Sequence, residues 1–123
     1  MLTPEKIIAD LDAFLLETGE DIVVRRVVAN IKTDVACRAR ARGVSAKKVV
    51  GTIAATDLEV IISPTQILAA GWPGEAPQDG AADPRIPRIN DYVLVKGKQR
   101  QVKFSDPIFV GNEWVRCNLV VAG

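Results

Sequence analysis

The sequence predicts a mainly β fold, a small β-barrel or sandwich, with an N-terminal amphipathic helix and one short capped helix. Three observations carry this. After residue 21 the apolar period changes from 3.6 to 2, and about six to eight short alternating runs follow at close spacing. Before residue 20 the apolar residues recur at helical spacing. Between residues 61 and 74, the stretch IISPTQILAAGWPG carries the start and stop signals of a short helix.

Thr3-Pro4 opens the first helix, because Pro costs nothing at a first helical position. Ile7, Ile8, Leu11, Phe14 and Leu15 form its apolar stripe, and Gly19 ends it. The helix occupies residues 1–19, and one β domain fills 20–123. Residues 22–31 are rich in β-branched side chains and read as one strand. Residues 33–42 read as the next. There Val35, Cys37, Ala39 and Ala41 point one way, and Arg38, Arg40 and Arg42 point the other. At a rise of ~3.3 Å per residue these arginines stand about 7 Å apart on one face.

Residues 43–52 read as a loop with Lys47 and Lys48 near its tip. Strand character resumes at 52–63, with Thr56-Asp57 as a turn and Asp57 and Glu59 as exposed edge charges. Ser63 is then an N-cap, Pro64 the first helical residue and Gln66 the return partner of a capping box. Gly71 takes the left-handed conformation that closes the helix, and Trp72 anchors it as a plug over one end of the β structure. Residues 73–87 are Pro-, Gly-, Ala- and Asp-rich and read as a long exposed loop. The last third is a meander. Strands fall at 92–95 and 99–104, Asp106-Pro107 breaks the second, 108–110 resumes, and 114–121 ends the sheet. In that final strand Val115, Cys117, Leu119 and Val121 oppose Trp114, Arg116, Asn118 and Val120.

The chain has 123 residues, enough for one domain with a modest core. No apolar run spans a bilayer, so no membrane contact is expected. Charges interrupt the first twenty residues, which argues against a signal peptide and for a cytoplasmic protein. There is no histidine, so the commonest base and metal ligand are missing. Cys37 and Cys117 read as buried thiols. Carboxylate pairs such as Asp10/Asp12 and Glu20/Asp21 share no face with a base or nucleophile. No phosphate-binding loop occurs. No catalytic residue, cofactor or metal is therefore expected, and no enzyme.

Charge is uneven although the net is +1. Residues 1–21 hold one lysine and six acids, and residues 22–51 hold eight bases and one acid. These blocks suit complementary contacts, within one chain or between copies. The face of Arg38, Arg40 and Arg42, with Lys47 and Lys48 beyond it, suits a polyanion or an acidic partner surface. The plainer reading pairs these arginines with the acidic helix. None of the six aromatic residues sits beside them, which argues against base stacking.

The order of segments resembles a known family. An acidic N-terminal helix precedes GEDIVVRRV, then VACRARARG, VIISPTQILAAGWPG and DYVLVKGKQRQVKFSDPIFVGNEWVRCNLVVAG. This resembles the head-closure, or stopper, proteins of the neck of long-tailed bacteriophages and prophages, over nearly the whole chain. The resemblance implies a small β-barrel that assembles into a ring below the portal and its adaptor. The ring closes the head after DNA packaging and presents a surface to the tail terminator and tail proteins. It implies no active site, and places the chain in the virion neck and, during assembly, in the host cytoplasm. A loop of each subunit faces the channel, here residues 43–51 or 73–87. The arginines then meet neighbouring subunits or neck proteins, or alternatively packaged double-stranded DNA. Two other readings stand beside it: a tail terminator or other neck ring protein, and a small nucleic-acid-binding β-barrel.

Overall fold

The computed structural model describes residues 3–43, 57–74 and 83–122. The elements are α1 (Pro4–Thr18), β1 (Glu20–Val28), β2 (Ile31–Gly43), β3 (Leu58–Ile62), α2 (Thr65–Ala70), β4 (Tyr92–Val95), β5 (Lys98–Val110) and β6 (Glu113–Val121). The six strands close into a barrel in the order β1-β2-β3-β6-β5-β4. All neighbours pair antiparallel. The chain thus makes two three-stranded meanders, β1-β2-β3 and β4-β5-β6, which join along β1–β4 and β3–β6. Of barrel and sandwich, the barrel forms.

The register defines two ends. One end carries the β1–β2 turn, α2 after β3, the run into β4 and the β5–β6 turn. The other carries the β4–β5 turn, the end of β6 and the step from α1 into β1. Inside lie Ile22, Val24, Cys37, Val60, Val93 and Leu119 with their neighbours. Ile67 of α2 and Trp72 belong to the same core, so α2 plugs the first end as expected.

Helix α1 begins as its sequence demands, with the Thr3 hydroxyl accepting from the Lys6 N–H at 3.2 Å. It packs against β2 and β6 and buries Leu15. At its end the Gly19 N–H donates to Leu15 O at 2.9 Å. A Cβ on Gly19 would lie 2.5 Å from both Ala39 O and Leu15 O, so only glycine lets the helix end approach β2 this closely.

Several expectations need correction. Residues 22–31 are not one strand. The chain reverses at Ala29 (φ 51°) and Asn30 (φ 66°), a two-residue turn with both central φ positive, whose twist matches a hairpin. No Asn-Gly or Asp-Gly marks it. Asp106-Pro107 does not break a strand. Beyond Val102, which bonds Asn90 and Asp91, no strand among the described residues pairs with β5 on its β4 side, so the missing Pro107 N–H need not leave a gap in a ladder. In β6 the alternation shifts at a bulge opposite Ile108 and Phe109. Trp114 therefore joins the core beside Cys117, Leu119 and Val121.

The capping box of α2 does not form. Pro64, not Ser63, is the N-cap, and the helix starts at Thr65. Ser63 Oγ accepts from the Thr65 N–H at 3.2 Å, and Gln66 Oε1 is buried with no partner among the described residues. Gly71 does end the helix in the left-handed region, at φ 65°. The stretch 73–87 is not wholly an exposed loop. Pro84 and Pro87 are buried, and Ile86 packs on the core. Residues 75–82 of that stretch lie outside the described residues, as do 44–56, with Lys47, Lys48 and Thr56.

Candidate functional site

Alternation along β2 puts Arg38, Arg40 and Arg42 on the outer face, as expected. Each is engaged within the chain. Arg38 donates from Nε to Leu15 O at 2.9 Å and from Nη2 to Leu16 O at 3.1 Å, and its Nη1 stands 3.2 Å from Asp21 Oδ1. It thus caps the C-terminal end of the helix, where the dipole is negative, giving Leu15 O a second donor beside the Gly19 N–H and bonding Leu16 O as well. Arg40 lies over the Phe14 ring, 5.5 Å from its centroid. Arg42 Nε pairs with Glu59 Oε2 at 3.2 Å. The basic strand and the N-terminal helix therefore meet inside one chain, mostly through backbone oxygens and a ring rather than through the helix acids.

Asp57 and Glu59, expected as exposed edge charges, are both buried. Lys103 Nζ reaches Asp57 Oδ2 at 2.9 Å, and Arg42 covers Glu59. A cation in each case, Lys103 from β5 and Arg42 from β2, makes the burial tolerable.

The strongest polar cluster is one that the sequence reading missed. Arg26 is 4 % exposed. Its Nε and Nη2 grip Asp91 at 3.0 and 2.8 Å, a two-pronged pair with good geometry. Its Nη1 donates to Pro84 O at 2.6 Å and its Nη2 to Ile86 O at 3.3 Å. The guanidinium sits 4.6 Å from the Trp72 ring centroid, and Trp72 Nε1 donates to Thr33 O at 2.9 Å. Asp91 also accepts from the Arg88 N–H at 2.9 Å. One buried ion pair thus ties β1, the run into β4 and the plug together. A signal was present: Ile22, Val24 and Arg26 share one face of β1, so the alternation itself aimed Arg26 inward.

On the surface of this plugged end the described residues expose Val28, Ile31, Leu68, Ile89 and Phe109. Ile86, Pro87, Ile89, Pro107 and Phe109 line an apolar groove of about 610 Å³, with Asp83 and Arg88 at its polar side. Arg85 beside Asp83 holds that carboxyl below its ordinary range, and Arg25 does the same to Asp34 across the β1–β2 pair. Burial pushes the Cys37 thiol up to about 12 and that of Cys117 up to about 11. Both are free, buried and protonated at neutral pH, which makes them poor nucleophiles.

Among the described residues no group of three or more Cys, Asp and Glu side chains is placed to hold a metal ion. No helix among them is long and apolar enough to cross a membrane. No protein-family model matches the chain, nor does any curated protein or any solved structure.

Proposed function

We propose that this chain is a structural protein of a phage or prophage neck. In this reading it forms a ring beneath the portal and adaptor, closes the filled head and offers the tail its attachment surface. The observation that carries the reading is the order of segments resembling head-closure proteins over nearly the whole chain. The resemblance implies a small β-barrel, and the closed six-stranded barrel of this chain supports the reading to that extent. Exposed apolar side chains gathered at one barrel end also support it, because such patches serve contacts with other proteins. The arginine face weighs toward protein contacts rather than DNA, since Arg38, Arg40 and Arg42 already have partners in the chain.

The test is electron microscopy of particles made when the gene is silenced in its parent phage or prophage. Separate complete tails and heads that have lost their DNA are expected. Normal joined particles would overturn the proposal.

A further inference from the structure

The plugged end of the barrel carries two exposed apolar features that one chain cannot bring together. The first is the tip of the β1–β2 hairpin, where Val28 is 58 % and Ile31 69 % exposed. The second is the groove whose open wall is Ile89 (54 %) and Phe109 (51 %). Pairing that runs up to Val28↔Ile31 holds the tip upright in the barrel wall. β4 and the run into it separate the tip from β5 and the groove. A chain therefore cannot fold its own tip into its own groove.

Both features also end in open strand edge. β4 pairs with β1 only from Ile22 to Arg25, and with β5 only from Lys98 to Gln101. Val102 still bonds Asn90 and Asp91 through both of its backbone groups; beyond Val102 in β5 and beyond Arg25 in β1 no strand lies on the β4 side among the described residues. Unpaired edges present backbone donors and acceptors that another strand satisfies. Charge agrees. Lys32 stands exposed just behind the tip, and the exposed acid Glu113 shares a cavity wall with Phe109.

We propose that the occupant of the groove is a second copy of this chain, which inserts its hairpin tip, Val28 and Ile31, against Ile89 and Phe109. The contact joins two different patches, so it is head-to-tail, and repetition closes a ring or runs on as a filament. This deepens the proposed neck ring and rests on that reading for its biological setting.

The test uses the full chain in two variants that each add one exposed cysteine, Val28→Cys and Ile89→Cys, mixed and oxidised under native conditions. Cys37 and Cys117 are buried and do not compete. The expected result is a mixed disulfide on a non-reducing gel, enriched about tenfold over a control in which Lys6→Cys replaces Ile89→Cys, because docking raises the local thiol concentration. Ile31→Asp, added to the Val28→Cys chain, should remove that enrichment while the circular dichroism spectrum is kept. Cross-linking no greater than the control overturns the inference, whether light scattering shows monomers or oligomers. Oligomers without this cross-link would place the interface elsewhere and leave the neck reading standing. Joined, DNA-filled particles after silencing would sink the neck reading even if the cross-link forms.

Discussion

Arg26 and Arg38 sit on adjacent strands of the same barrel and do opposite work. Arg26 points inward, is nearly sealed from water, and gives every direction of its guanidinium a partner: Asp91, two carbonyls and the Trp72 face. Arg38 points outward, stays partly hydrated, and directs its donors to the Leu15 and Leu16 carbonyls at the end of α1. The residue type is the same, so the difference lies in what surrounds the charge. Water can replace most of what Arg38 loses. Nothing can replace Asp91 for Arg26, because an unpaired buried cation has no solvent to fall back on. Stability should therefore be concentrated at the plugged end, with the helix face contributing in small increments.

The sharpest way to break this comparison is Asp91→Ala. It leaves Arg26 buried and uncompensated, and should cost about 3–5 kcal/mol in a urea titration. The double variant Arg26→Met/Asp91→Leu should recover most of that loss, since an apolar pair of similar volume needs no partner. A loss below about 1 kcal/mol for the single change would mean that water reaches Arg26. Next comes Trp72→Ala, with roughly 3 kcal/mol expected from the cavity and the lost cover over Arg26. An effect under about 1 kcal/mol would show that the plug carries little of the fold.

On the outer face the expected numbers are smaller. Arg38→Ala should cost about 1 kcal/mol for its hydrogen bonds to the helix end, and Arg40→Ala about 0.5 kcal/mol for a half-buried cation over a ring. If Arg38→Ala instead matched Asp91→Ala, the two regions would be energetically alike and the comparison would fail.

The thiols give a pH test of the core. Both cysteines have folded values raised from 9.0, to about 12 and about 11, because burial disfavours the thiolate. The stability this represents is fully present below pH 9 and is lost as pH rises from 9 toward 12. Replacing both cysteines with alanine should flatten that alkaline decline, read by thermal unfolding at a series of pH values. An unchanged decline would assign it to other groups.

Much of this fold was legible in the residues. The capped start of α1, its stripe, the glycine that ends α2, the outward arginines of β2 and the buried Trp72 all follow from signals within a few residues of one another. The missed features share a different cause. The Ala29-Asn30 turn is stabilised by the pairing of the strands it joins, not by its own residue types. The β6 bulge exists because β5 and β6 must stay paired while the barrel curves, and it turns Trp114 inward. Gln66 had the right spacing for a capping box, yet its side chain is buried elsewhere.

By itself the sequence determined that this is a mainly β chain with an N-terminal helix and a short plug. Periodicity and caps are local, and local energies suffice to decide them. Only the tertiary structure decided which charges are buried and with whom. Arg26 and Asp91 are 65 residues apart in the chain and 2.8 Å apart in space. Asp57 met Lys103, and Arg38 met the end of α1, in the same way. Such pairings depend on which strands become neighbours when the barrel closes. That is a property of the whole sheet, and no window of sequence contains it.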